Sequence, residues 1–184
     1  KLDINTQAAY SQKFYKNIFN NGLAITKSPG IVATKDIFPS IPIIIVSAGP
    51  SLDKNIGLIK SVREQILVIT VATALKPLLR NGIKPDFVIS IDPNEDTIKS
   101  FDIKAIPEDL WLIYDPCIPP EICSLFNKRK IMMDSKIELA KWITDHSEKK
   151  RDPRQHFICS SCSILFSSTH GMCTYYSCGA GFII

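Results

Sequence analysis

Between Pro42 and Asp145 short apolar runs take turns with amphipathic stretches. Apolar runs this brief, bounded by turn residues, read as buried strands, and the amphipathic stretches between them read as helices crossing over to parallel neighbours. The candidate strands are Ile43 to Ser47, Ile66 to Val71, Phe87 to Ile91, Trp111 to Tyr114 and Lys130 to Met133. The candidate helices are Leu52 to Arg63, Ala74 to Asn81, Glu95 to Phe101, Pro120 to Phe126 and Lys136 to Asp145. This alternation predicts an α/β fold with a mostly parallel, doubly wound sheet and helices on both faces.

Upstream, Tyr10, Phe14, Ile18 and Phe19 recur at helical spacing, which predicts an amphipathic helix from Gln7 to Asn20 with a stop at Asn20-Asn21-Gly22. Three regions follow: a helical lead-in over 1–38, an α/β domain over 39–148 and a Cys/Ser-rich tail over 149–184. A length of 184 residues suits one main core, and 45% hydrophobic with 22% charged residues excludes a chain disordered throughout. The net charge of +4 is far from the basic stripe of a nucleic-acid binder, and a small anionic ligand fits it equally well. The longest apolar run, Ile41 to Val46, is too short to span a bilayer, and Lys1 opens no signal-like segment. A cytoplasmic protein is expected.

In doubly wound sheets ligands sit beyond the carboxyl ends of the strands, and that rule selects three segments. In Ser47-Ala-Gly-Pro-Ser-Leu52, Gly49 lets backbone approach a ligand, Pro50 fixes φ where a lost N–H is harmless, and Ser51 can cap the next helix. Such a helix start is an anion seat, although a tight turn with a helix cap needs the same residues. In Val71-Ala-Thr-Ala-Leu75 the small residues leave room for a ring or sugar and Thr73 offers a hydroxyl; close strand-to-helix packing with Thr73 as cap is the plainer reading. In Gly82-Ile-Lys-Pro-Asp-Phe-Val-Ile-Ser-Ile-Asp-Pro93, Asp92 leaves the strand at its carboxyl end, where it can take a sugar hydroxyl, help hold a divalent cation or cap the segment from Glu95. Asp86 lies at the opposite end and reads as a turn residue.

Taken in order, Pro42-Ile-Ile-Ile-Val-Ser-Ala-Gly-Pro-Ser-Leu-Asp-Lys-Asn-Ile56, Val71-Ala-Thr-Ala-Leu-Lys-Pro-Leu-Leu-Arg-Asn-Gly-Ile-Lys-Pro-Asp86 and Asp92-Pro93 resemble the central domain of the motility accessory factor family, over roughly residues 10 to 145. The resemblance implies a Rossmann-like, sialyltransferase-like domain that transfers a nonulosonic acid of the pseudaminic or legionaminic type from its CMP-activated form to Ser or Thr of flagellin. Archaeal 6-hydroxymethylpterin diphosphokinases are similar in the same domain, which implies ATP-dependent pyrophosphate transfer as the alternative, with Mg²⁺ on Asp92 or Asp96. Either way the resemblance implies nucleotide contact at Gly49, Pro50 and Ser51, with Thr73 and Asp92 nearby. The Lys- and Asn-rich lead-in and Asp53-Lys-Asn-Ile56 look more like the motility proteins, which puts the nucleotide-sugar donor first.

After Glu148 the alternation stops, and the Gly-Ser segment, helix and Val-Gly-Gln-Asp-Leu strand of the resembling family are missing. Cys159-x2-Cys162 and Cys173-x4-Cys178 have the short spacing of a zinc knuckle, which would make the chain a small zinc-stapled nucleotide-binding or adaptor module. The genetic code offers another explanation. Shifted one nucleotide forward, the codons for Gly171 to Ile183 permit Gly-Cys-Ala-Pro-Ile-Ile-Val-Val-Gly-Gln-Asp-Leu, the missing strand. A frameshift between about Lys149 and Gln155 is therefore expected, leaving a truncated domain, an inactive fragment in which His156 and His170 carry no role. His146, at a helix end, reads as a partner of the helix dipole.

Overall fold

The computed structural model describes residues 4–34, 37–38, 40–146 and 182–183. Six strands form one sheet: β1 Ile43–Val46, β2 Leu67–Val71, β3 Phe87–Ser90, β4 Trp111–Tyr114, β5 Lys130–Met132 and β6 Phe182–Ile183. Every pairing is parallel, in the order β5-β4-β3-β2-β1-β6. The chain lays down β2 to β5 successively on one side of β1, and β6 lies on the other, so the winding reverses at β1. The expected α/β fold with a parallel sheet and a helical lead-in is the fold observed.

The helices are α1 Ile4–Asn20, α2 Gly22–Lys27, α3 Pro50–Val62, α4 Ala72–Arg80, α5 Pro120–Leu125 and α6 Glu138–His146. Glu95–Phe101, expected as a helix, takes the tighter 3-10 form, and further 3-10 turns occupy Ile31–Thr34 and Arg63–Gln65. The expected stop at Asn20-Asn21-Gly22 ends α1, but α2 starts directly after it. Asn21 donates its N–H to Asn17 O at 2.8 Å and accepts from Ile25 N at 2.9 Å, so the chain stays nearly helical through the break.

The strand period of two sorts the core into layers. Val46, Val68, Val88 and Leu112 point to one face, where Leu52 and Ile59 of α3, Leu75 and Leu78 of α4, and Ile122 of α5 meet them. The lead-in packs on the same side, with Ile18 and Ile25 buried beside Tyr114, Phe126 and Ala140. The opposite face carries Leu67, Phe87, Trp111, Ile113 and Ile131, met by Ile31, Phe38 and Ile41. Phe38 stands edge-on to Phe87 with ring centroids 5.9 Å apart.

The amino edge of the sheet is locked by a group the sequence reading assigned to a turn. Asp86 is buried; its Oδ1 lies 2.8 Å from the Arg63 guanidinium and its Oδ2 accepts from Val68 N at 2.8 Å. Arg63 also donates to the carbonyls of Lys84 at 2.7 Å and Ile66 at 3.1 Å. The correction has a simple cause: Arg63 lies 23 residues away and only folding brings it to Asp86.

Cys117 and Cys123 are buried free thiols. Burial pushes the Cys123 thiol up to about 12; burial, then Asp115, pushes Cys117 up further. Because the thiolate is the reactive species, both resist alkylation while the fold is intact. Peptide-mapped iodoacetamide labelling at pH 8 is expected to run at least a hundredfold slower at these two positions in native protein than in urea. Folded values above the unfolded value of about 8.5 mean that their contribution to stability is complete below pH 8.5 and is lost as pH rises beyond it. Equal labelling rates in native and unfolded protein would refute this.

The frameshift and the zinc site expected in residues 149–184, with His156 and His170, lie outside the described residues apart from Phe182 and Ile183. His146 closes α6, with Nδ1 2.8 Å from the Trp142 carbonyl and its ring stacked on Trp142, at the helix end where a partial positive charge is favoured.

Candidate functional site

Parallel register brings the carboxyl ends of the strands to one edge, with Val46 opposite Thr70, Val71 opposite Ile89 and Ser90 opposite Tyr114. Gly49, Pro50, Ser51, Thr73 and Asp92 follow β1, β2 and β3 and therefore share that edge. The winding reversal at β1 is where such sheets open a crevice, and the Gly49 turn stands beside it.

Gly49 has φ 163 and ψ 171, an extended conformation open to any residue. Among the described residues, a Cβ built on it would meet nothing nearer than Ser51 Oγ at 4.0 Å. Neither backbone strain nor internal packing therefore calls for glycine, and the space a side chain would fill faces outward. Gly49 is also the N-cap of α3, with Pro50 as first helical residue. Ser51 is the second helical residue and makes no capping bond, which corrects the expected cap. Leu52 N turns back to Gly49 O at 3.0 Å and Pro50 has no N–H, so Gly49 and Ser51 supply the amides this helix start offers to a ligand.

Thr73 is corrected in the same way. The cap position of α4 is Val71, with no side-chain capping bond, because β2 passes into α4 without a linking residue. Thr73 lies exposed in the first turn, and Pro77 inside the helix has no N–H for the Thr73 carbonyl four residues back.

Asp92 is exposed, and its Oδ1 accepts from Asn94 N at 2.9 Å and Asn94 Nδ2 at 2.8 Å. It shapes a local turn, while Asn94 takes the cap position of the 3-10 helix. The next strand repeats the device: Asp115 follows β4, and its Oδ1 accepts from Cys117 N at 2.9 Å. Asp115 is a further candidate residue on this edge, and the sequence carried a signal for it. Ile91-Asp-Pro93 and Tyr114-Asp-Pro116 are the same strand-end motif on adjacent strands. Both acids bear on Cys117, whose thiol burial raises first and these two charges raise further. Asp96 is a surface group instead, 2.7 Å from Lys99, whose hydrogen bond and charge hold it below the ordinary carboxylate range. Among the described residues no three His, Cys, Asp or Glu side chains converge as a metal site.

The lead-in helices brace this edge. Asn17 Nδ2 donates to the carbonyls of Cys117 at 2.8 Å and Pro93 at 3.2 Å, and Asn21 Nδ2 to those of Ile118 at 2.8 Å and Pro116 at 3.0 Å. Lys13 Nζ reaches Asn94 Oδ1 at 3.2 Å. Both asparagines are buried, and they tie the two Asp-Pro turns to one helix face. Their spacing of four residues among Phe14, Ile18 and Ile25 was the visible signal: two amides on an apolar stripe need partners. Asn21→Ala is expected to cost about 2 kcal/mol, because two buried carbonyls lose their donor. A urea midpoint unchanged from the parent would show that the brace is ornamental. Close by, Ser90 Oγ at the end of β3 is buried with no hydrogen-bond partner among the described residues.

No helix among the described residues is long and apolar enough to cross a membrane. A family model described as 6-hydroxymethylpterin diphosphokinase MptE-like matches residues 14–167. A protein of Treponema pallidum (strain Nichols), described as uncharacterized, is 46% identical over 50 residues, which is 27% of this chain and 24% of that protein. The structure of the MAf glycosyltransferase from Magnetospirillum magneticum AMB-1 is similar with a TM-score of 0.49 and 21% identity, over 65% of this chain and 20% of that one. The chain thus spans about a quarter of the length of the curated relative it matches. The family match takes in β1 to β5, α2 to α6 and both Asp-Pro turns, and with that extent the chain belongs to the 6-hydroxymethylpterin diphosphokinase MptE-like family.

Proposed function

We propose that the carboxyl edge seats the phosphate of an activated nucleotide and that the chain is the nucleotide-binding part of a glycosyltransferase-like protein. In this reading it transfers a nonulosonic acid from CMP to a Ser or Thr hydroxyl of a protein acceptor, flagellin being the acceptor the sequence resemblance implies. The observation that carries the reading is the glycine at position 49, where neither φ nor packing among the described residues needs one. The Gly49 and Ser51 amides and the positive end of α3 hold the phosphate and stabilise the charge that grows on it as the glycosidic bond breaks. Thr73 and Asp92 stand where sugar hydroxyls would be held, and the brace from Asn17 and Asn21 keeps the Asp-Pro turns in place. The buried free thiols Cys117 and Cys123 support a reducing, cytoplasmic setting.

CMP at a hundred times its Kd adds about 2.7 kcal/mol of stability, which for a chain of this size raises the melting temperature by roughly 5–10 °C. That shift, with a smaller one from ATP and Mg²⁺, is the expected result of a thermal melt. A shift from ATP with Mg²⁺ and none from CMP replaces the reading with pyrophosphate transfer to a hydroxymethylpterin. The observation that favours this second reading is the pair of Asp-Pro turns: Asp92 and Asp115 each spend one oxygen on their own turn, leaving the other for Mg²⁺, which would neutralise the ATP phosphates.

A further inference from the structure

Away from the carboxyl edge, a cavity of about 460 Å³ opens between α4 and the segment following Phe101, lined by Lys76, Leu79, Arg80, Asp102, Ile103 and Lys104 among others. Because α4 starts at the carboxyl edge beyond β2 and runs back toward the start of β3, its second half, with Lys76 and Arg80, lies toward the opposite edge. None of the Gly49 turn, Thr73 or Asp92 lines this cavity.

We infer that this cavity is a second binding site, for a small organic phosphate monoester with an apolar or aromatic body. Among the described residues three cations meet one carboxylate there, an excess of two positive charges that matches a phosphate dianion. Lys76 and Arg80 are four residues apart on α4, so like charges face each other across one helical turn and the empty site carries their repulsion. The relief available within the chain is slight: Asp102 comes only to 3.9 Å of Lys76 Nζ and its side chain is 91% exposed. Arg80 and Lys104 have no ion-pair partner among the described residues. Between the charges lie Leu79 and Ile103, half-buried and packed on the core, which give the organic part of the ligand an apolar wall. The volume suits one small molecule.

Phenyl phosphate tests the idea, with inorganic phosphate as its truncated counterpart. In amide chemical-shift titrations of the full chain, phenyl phosphate should move residues 76–80 and 102–105 saturably. It should bind several-fold more tightly than inorganic phosphate, and added salt should weaken it. Arg80→Gln with Lys104→Gln should lower its affinity at least tenfold with an unchanged melting temperature, whereas Lys60→Gln on α3 should leave it intact. CMP response at the carboxyl edge should persist in the double variant, which keeps this proposal separate from the function proposed above. Absence of saturable shifts, equal affinity for both probes, an undiminished response in the double variant, or displacement of phenyl phosphate by CMP would each overturn it.

Discussion

Asp86→Ala is expected to lower the unfolding free energy by about 3–5 kcal/mol, a large part of the 5–15 kcal/mol typical of a domain. The substitution takes away the carboxylate paired with the Arg63 guanidinium, whose side chain is 11% exposed, and it leaves the Val68 N–H without the Asp86 acceptor. The damage is central because Asp86 also pairs through its backbone, N to Val68 O at 2.9 Å and O from Trp111 N at 3.0 Å, so one residue registers β2, β3 and β4 together. Asp86→Asn keeps an acceptor for Val68 and removes only the charge, and roughly half the loss is expected. Urea unfolding of the two variants checks the order; an alanine variant as stable as the parent would contradict the assignment.

The second large effect concerns binding. Gly49→Val should reduce CMP affinity at least a hundredfold while leaving the fold intact. The φ of 163 is accessible to valine, and among the described residues the nearest atom to a new Cβ is Ser51 Oγ at 4.0 Å, so the stability change is confined to the poorer N-cap, about 1 kcal/mol. The added methyl groups would occupy the space in which a phosphate must reach the first amides of α3. Calorimetric titration of folded variant and parent decides the matter, and undiminished affinity in the variant would remove the phosphate from this turn.

Strands were the most legible part of the sequence. Trp111 to Tyr114 has the limits expected, and β1, β2, β3 and β5 differ by one residue at an end, because a short apolar run between turn residues has few other uses. Helix starts were less legible. Ser51 and Thr73 look like caps, but α3 already starts at Pro50, which puts Gly49 at its cap, and β2 passes into α4 without a linking residue, which puts Val71 there. Groups whose meaning depends on distant partners were not legible at all. Asn21 has the composition of a helix stop and serves as a brace across some 95 residues, and Asp86 has the composition of a turn and serves as half of an ion pair. Local chemistry reveals where a polar group sits along the chain, and only packing reveals what it must satisfy.

The partnership of β1 with β6 has a consequence during synthesis. Ile44 and Ile45 pair on one side with β2, which follows soon after, and on the other with Phe182 and Ile183, which leave the ribosome about 140 residues later. Through that interval the isoleucine-rich ribbon shows an unpaired flank, an invitation to wrong partners in a crowded cell. A nascent chain stalled before Phe182 should accordingly engage chaperones more than one released after it.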